Sequence, residues 1–223
     1  MNIVRWYLKP SFVKQLTKPV GLRSNIVTMS SSAFSSAAKR IVWVDLEMTG
    51  LNVEKDHILE IACVVTDDDL NIVAKGPNIV INQPDSILNE MNDWCIAQHG
   101  ESGLTEASRQ SKITLKDAEQ QVLDFVKSHA PEKKCPLGGN SVYMDRLFLR
   151  KYMPVLDNYL HYRIIDVSSI KELAKRWYQK EYSLMPMKKF KHRSIDDILE
   201  SIEELKYFKR HIFKVTDKLQ TAV

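Results

Sequence analysis

The chain has 223 residues, 44% of them hydrophobic, which suits one domain of ordinary size with a sizeable core. No apolar run reaches the roughly 18 to 20 residues of a membrane span. Cys63, Cys95 and Cys135 show no C-x2-C spacing, which argues against a disulfide framework or a zinc ribbon and points to a reducing compartment. The net charge of +4 is unevenly spread: residues 1–40 carry seven basic residues and no acid, leaving 25 basic against 28 acidic in the rest. The folded part therefore lacks the broad cationic surface that grips long nucleic acids by many phosphates.

The basic leader, residues 1–40, is Ser-rich and amphipathic in stretches such as VRWYLKPSFVKQL. That composition matches a mitochondrial transit peptide, with a disordered basic arm as the alternative; a secretory signal would need a clean apolar segment that is absent here. Met29 precedes a low-complexity stretch, Ser30 to Ala38, and initiation there would yield a second, cytosolic or nuclear form. A domain is expected over 41–213, followed by a tail, 214–223.

In the domain, IVWVDLEMTGL reads as a strand from its β-branched and aromatic residues, and HILEIACVVTD and NIVAKGPNIVIN as two more, parted by an acidic turn at Asp67 to Asp69. MNDWCIAQHG reads as a short helix ended by Gly100. Thr114 and Asp117 form a cap signature ahead of apolar Leu115, Ala118, Val122, Phe125 and Val126, which predicts a longer helix. CPLGGN and YRIIDVSS read as short strands preceding helices, and apolar Ile195, Ile198, Leu199, Ile202, Leu205 and Phe208 define a last amphipathic helix. An antiparallel meander plus parallel βα units gives an α/β fold with a mixed sheet flanked by helices.

Residues that carry chemistry punctuate this frame. Asp45 and Glu47 lie two apart on a strand and so share one face. Two carboxylates there resist joint ionisation unless a cation sits between them, and hard oxygen ligands favour Mg2+ or Mn2+. Asp145 falls about one turn into the helix that follows GGNS; alone it reads as an acid complementing the helix dipole. His192, Asp196 and Asp197 stand at the entrance of the last helix, where capping is the ordinary role of an acid. Helical spacing pairs His192 with Asp196 rather than Asp197, so spacing does not settle which acid is a ligand.

Taken together, WVDLEMTGL, DWC followed by HG-x-SGL, GNS-x3-D, YRIIDVSS-x-KELA-x-RW and HR-x2-DDI-x-ES resemble, in order, the DEDDh family of 3′-to-5′ exonucleases and, within it, the oligoribonuclease group. The resemblance runs from about Ile41 to about Phe213 and implies a ribonuclease H-like fold. It implies Asp45, Glu47, Asp145 and Asp197 as ligands of two divalent ions, Mg2+ or Mn2+, and His192 as general base. It further implies that Leu51 and Trp94 hold the bases of a very short single-stranded RNA, with its backbone near His99. Ser141, Arg163 and Ser168 would cap the 5′-phosphate of a dinucleotide, and Tyr162 would reach across a homodimer. Ser194 stands where alanine is usual, and Tyr143 and Met144 fill a variable part of GNS-x3-D; neither departure removes a ligand. The activity implied is hydrolysis of dinucleotides and slightly longer RNAs to 5′-mononucleotides. The alternatives are a DNA-directed exonuclease with the same site, or a binding module without catalysis.

Overall fold

Three strands, β1 (Ile41–Met48), β2 (Ile58–Thr66) and β3 (Ile72–Val80), form the antiparallel meander that the sequence pattern predicts. The turn between β2 and β3 is set by Asp67, whose carboxylate accepts the backbone N–H groups of Asp69 and Asn71, while Leu70 takes φ +69°. Two short strands, β4 (Leu137–Gly139) and β5 (Ile164–Asp166), continue the sheet on the far side of β1, both parallel, to give the order β3-β2-β1-β4-β5. This computed structural model describes residues 35–186 and 193–214. The leader up to residue 34, His192 and the tail beyond Lys214 lie outside the described residues.

Alternation along β1 divides the interior. Val42, Val44 and Leu46 pack with Val122 and Val126 of α4 (Leu115–His129), Phe148 and Leu149 of α5 (Val142–Tyr152) and Leu156 of α6 (Pro154–Tyr159). Ile41 and Trp43 point to the opposite face, against Val167 and Ala174 of α7 (Val167–Trp177) and Ile198, Ile202 and Phe208 of α9 (Ser194–His211). Trp43 is fully buried there and donates its indole N–H to Thr66 Oγ1 at 3.0 Å. A third cluster, Leu59, Leu88, Met91, Cys95 and Leu104, seats α1 (Asp85–Leu88), α2 (Asp93–Glu101) and α3 (Leu104–Gln110) beside the sheet; α8 (Gln179–Ser183) follows α7.

Capping follows the sequence signature at α4, where Thr114 and Asp117 exchange side-chain and backbone bonds. It departs at α2, which runs through Gly100 to Glu101; the left-handed residue is Gly103, φ +73°, at the N-cap of α3. The four short helices α1, α3, α6 and α8 have too few residues to show a period. Among the described residues no helix is long and apolar enough to cross a membrane, and all three cysteines are buried and free.

Candidate active site

Asp45 and Glu47 leave β1 on the face that carries Ile41 and Trp43, the face covered by α9. Asp197, in the first turn of α9, meets them: one carboxylate oxygen of each of the three residues lies within 4.8 Å of the other two. Asp145 arrives from α5, buried, with Oδ1 accepting the N–H of Leu46 at 2.9 Å, so its position is tied to the β1 backbone between the other two acids.

The entry of α9 is held by a residue that the motif does not include. Glu60 on β2 is wholly buried and lies in register opposite Glu47. Its carboxylate accepts Arg193 Nη2 at 2.7 Å, Arg193 Nε, and the backbone N–H of Ser194 at 3.1 Å. With residues 193 and 194 pinned to β2 and Ile198, Ile202 and Phe208 turned to the sheet, α9 presents Asp197 to β1. It is thus the N–H of Ser194 that orients the helix start; its hydroxyl makes no hydrogen bond among the described residues.

Burial and like charge dominate the electrostatics. The Glu47 carboxyl is pushed up to about 8, first by burial, then by Asp197, Glu60 and Asp145, against the opposing pull of Arg193. Asp145 is pushed up to about 7 by burial, against the N–H bond from Leu46. Oxygen donors buried and crowded in this way fit a divalent cation, which would restore their ionised form.

A cleft of about 440 Å³ opens beside Glu47, lined by Met48, Gly50, Leu51, Trp94, Cys95 and His99 among others. Leu51 is 67% exposed and Trp94 60%, so neither belongs to the core. Leu51 rides on a knotted turn: the Asp56 carboxylate accepts Thr49 Oγ1 and the N–H of Asn52, and a Cβ on Gly50 would meet that carboxylate at 2.4 Å. His99 is 1% exposed; Nε2 donates to the Met48 carbonyl at 2.9 Å and Nδ1 stands 4.0 Å from Glu47 Oε2. Its imidazole therefore backs Glu47 from the cleft wall.

A second cluster forms where β4 and β5 end. Ser141 occupies the N-cap position of α5 but its hydroxyl makes no cap bond; it takes φ +51°, and its N–H donates to Asp166 Oδ1 and Ser168 Oγ. A non-glycine residue in that conformation costs roughly 1–2 kcal/mol, offset by those two bonds. The two hydroxyls lie 3.1 Å apart. Nearby in sequence, Tyr162 is 73% exposed, stacked on His161, with the Arg163 guanidinium 5.3 Å from its ring centre.

Of the residues singled out from sequence, Asp45, Glu47 and Asp197 come together; Leu51, Trp94 and His99 share the cleft; Ser141 and Ser168 touch. His192 lies outside the described residues. Sequence reading passed over Glu60, Arg193 and Asn140. Glu60 had a signal: it is the one charged residue of ILEIACVVT, and an acid in a fully buried strand requires a partner.

Comparison with known proteins adds relatives. A family model described as Exonuclease matches residues 42–205. The chain is 54% identical over 194 residues to a human protein named "Oligoribonuclease, mitochondrial", covering 87% of this chain and 81% of that one. It is 51% identical to a "Probable oligoribonuclease" of Drosophila melanogaster (86% of this chain, 93% of the other). A bacterial "Oligoribonuclease" of Acinetobacter baylyi is 50% identical (80% and 97%). Among solved structures, exonuclease I of E. coli in complex with a dA16 oligonucleotide superposes with a TM-score of 0.61 at 13% identity, over 77% of this chain. The exonuclease I of Methylocaldum szegediense gives 0.58 at 11% identity over 78%. This chain spans about two fifths of either, 41% in each case, and the likeness is one of fold.

Proposed function

The chain belongs to the oligoribonuclease family of exonucleases, and we propose that residues 41–213 form an exonuclease domain that hydrolyses dinucleotides and slightly longer RNAs. The protein is a 3′-to-5′ exoribonuclease, a phosphodiester hydrolase releasing 5′-mononucleotides. The observation that carries the site is the cluster of Asp45, Glu47 and Asp197 at the mouth of a cleft flanked by exposed Leu51 and Trp94.

In this reading Asp45, Glu47, Asp145 and Asp197 hold two divalent ions, Mg2+ or Mn2+. Bound there, such ions would supply Lewis-acid stabilisation of the phosphoryl group and of the attacking and departing oxygens. His192 would accept the proton of the attacking water, a role worth about 10² to 10⁴ in rate. Its place one residue before Arg193, which Glu60 anchors, supports the assignment. Trp94 stacks on a base, Leu51 wedges between bases, and His99 supports Glu47 beneath the RNA backbone. Ser141, Ser168 and Arg163 receive the 5′-phosphate, the guanidinium fork taking two of its oxygens.

Tyr162 joins that cap from the other protomer of a homodimer. Exposed Leu173, Trp177 and Tyr178 on and beside α7, the helix that follows the edge strand β5, support such an interface. The acid-free leader and the mitochondrial relatives support import into the mitochondrion, with initiation at Met29 giving a second, cytosolic or nuclear product. Translation-start mapping that finds no product beginning at Met29 removes the latter.

Digestion of 5′-labelled RNAs of two to ten nucleotides tests the reading. Products with Mg2+ or Mn2+ and none with EDTA, fastest for the shortest RNA, are expected. Equal rates at all lengths would leave a generic exonuclease, and faster cleavage of the matching DNA would favour the DNA-directed alternative.

A further inference from the structure

We infer that Asn140 is a positioning residue that couples the 5′-phosphate cap to the helix bearing Asp197, through a directed chain of hydrogen bonds in which Ser201 is the last link. This rests on the reading of Ser141 and Ser168 as that cap.

The chain is continuous. Ser141 Oγ lies 3.1 Å from Ser168 Oγ; Ser168 Oγ donates to Asn140 Oδ1 at 3.0 Å; Asn140 Nδ2 donates to Ser201 Oγ at 2.7 Å; and Ser201 Oγ donates to the Asp197 carbonyl at 2.7 Å. Asn140 sits between β4 and α5, Ser168 opens α7, and Ser201 and Asp197 lie one turn apart on α9, so the links bridge three elements that no motif joins.

Its direction follows from the donor inventory. Asn140 Nδ2 also donates to Glu204 Oε2 at 2.9 Å, and Glu204, itself bound to Lys171 at 2.8 Å, is an acceptor; that decides which way the amide faces. Each serine hydroxyl has one proton. Ser168 gives its proton to Asn140, so in the contact between the two hydroxyls Ser141 is the donor. Ser201 gives its proton to Asp197 and accepts from Asn140. Every proton points from the cap toward Asn140 and from Asn140 toward Asp197, the arrangement in which successive bonds polarise one another.

An anionic phosphate at the cap competes for these protons. Whichever hydroxyl turns to it, Ser141 or Ser168, the bond on the Asn140 carbonyl side weakens. The amide, still held by Glu204, shifts relative to Ser201, and the Asp197 backbone moves with it. Phosphoryl transfer is sensitive to sub-ångström placement of its ligands, so the cap registers in turnover as well as in binding.

The test compares a 5′-phosphorylated dinucleotide with the same dinucleotide bearing a 5′-hydroxyl, in the intact protein and in Ser201→Ala, Ser201→Thr and Asn140→Leu. In the unaltered enzyme the 5′-phosphate should improve KM and should also change kcat. Ser201→Ala should keep the KM advantage, since the cap hydroxyls are untouched, while the kcat ratio of the two substrates moves toward unity by about two- to ten-fold, the span of one net hydrogen bond. Ser201→Thr, which restores the hydroxyl, should restore the ratio; Asn140→Leu should lose it as Ser201→Ala does. A kcat ratio unchanged in folded Ser201→Ala overturns the coupling, as does one that Ser201→Thr fails to rescue. If the unaltered enzyme shows no 5′-phosphate preference at all, the cap reading itself fails and the coupling with it.

Discussion

The carboxylate cluster and the serine cluster stand at the ends of neighbouring strands, yet they are built on opposite terms. The first crowds like charges: burial displaces Glu47 and Asp145 far above the ordinary carboxylate range, and Asp197, Glu60 and Asp145 push Glu47 further. The second is internally hydrogen-bonded, its strained Ser141 backbone held by Asp166 and Ser168. A site made of mutual repulsion is incomplete without a cation, whereas a site made of satisfied hydroxyls stands ready and chooses among substrates. The first should govern whether cleavage occurs, the second which RNA is favoured.

The largest break is expected at the cluster. Asp45→Asn and Asp197→Asn should abolish turnover while the fold persists, because each removes an anionic donor and also relieves repulsion. Asp196→Asn should do far less; equal damage from the two helix acids, compared by kcat with circular dichroism as a control, would undo the assignment of Asp197. His192→Ala should lower kcat by about 10² to 10⁴ with oligonucleotide binding retained, and an unchanged kcat would return His192 to a structural part.

At the serine cluster the effect is selective. Arg163→Ala should cost dinucleotide cleavage roughly 1.5 to 3 kcal/mol, a charge-assisted hydrogen bond, and longer RNAs much less. Comparable losses of kcat/KM on two-, five- and ten-nucleotide RNAs would remove the length-selecting cap. Trp94→Ala should raise KM for every length by the roughly 1 to 3 kcal/mol of one stacked base, with little change in kcat.

The smallest effect is thermodynamic. Since Glu47 is pushed up to about 8 and Asp145 to about 7, the folded protein without metal retains protons that the unfolded chain releases near the ordinary carboxylate values. Raised folded-state values mean that stability is greatest below the unfolded pKa and declines as pH rises through the folded ones. In EDTA the Tm should therefore fall between about pH 4.5 and 8, and added Mg2+ should raise it most at the alkaline end. A Tm in EDTA that is flat or rising across that window would show that the cluster is not strained by charge.

The sequence by itself determined the long elements. β1, β2, α4 and the last helix announce themselves through period and cap because a strand or helix long enough to bury one face must repeat its apolar residues, and the Thr114 and Asp117 cap is local chemistry. It also placed Asp45 and Glu47 on one face, a consequence of strand geometry alone. What it left open was the pairing across distance. Helical spacing ties His192 to Asp196, and only the packing of α9 on the sheet, with Arg193 anchored to Glu60, turns Asp197 toward β1. Nothing in the sequence around Trp94 says that it stands exposed; it does so because α2 packs through Cys95 and leaves that side chain over the cleft. Ser141 is an N-cap by position, yet its hydroxyl turns to Ser168, 27 residues away. Buried ion pairs and hydroxyl chains are satisfied by partners that the fold brings together, so no window of sequence contains both ends of the bond.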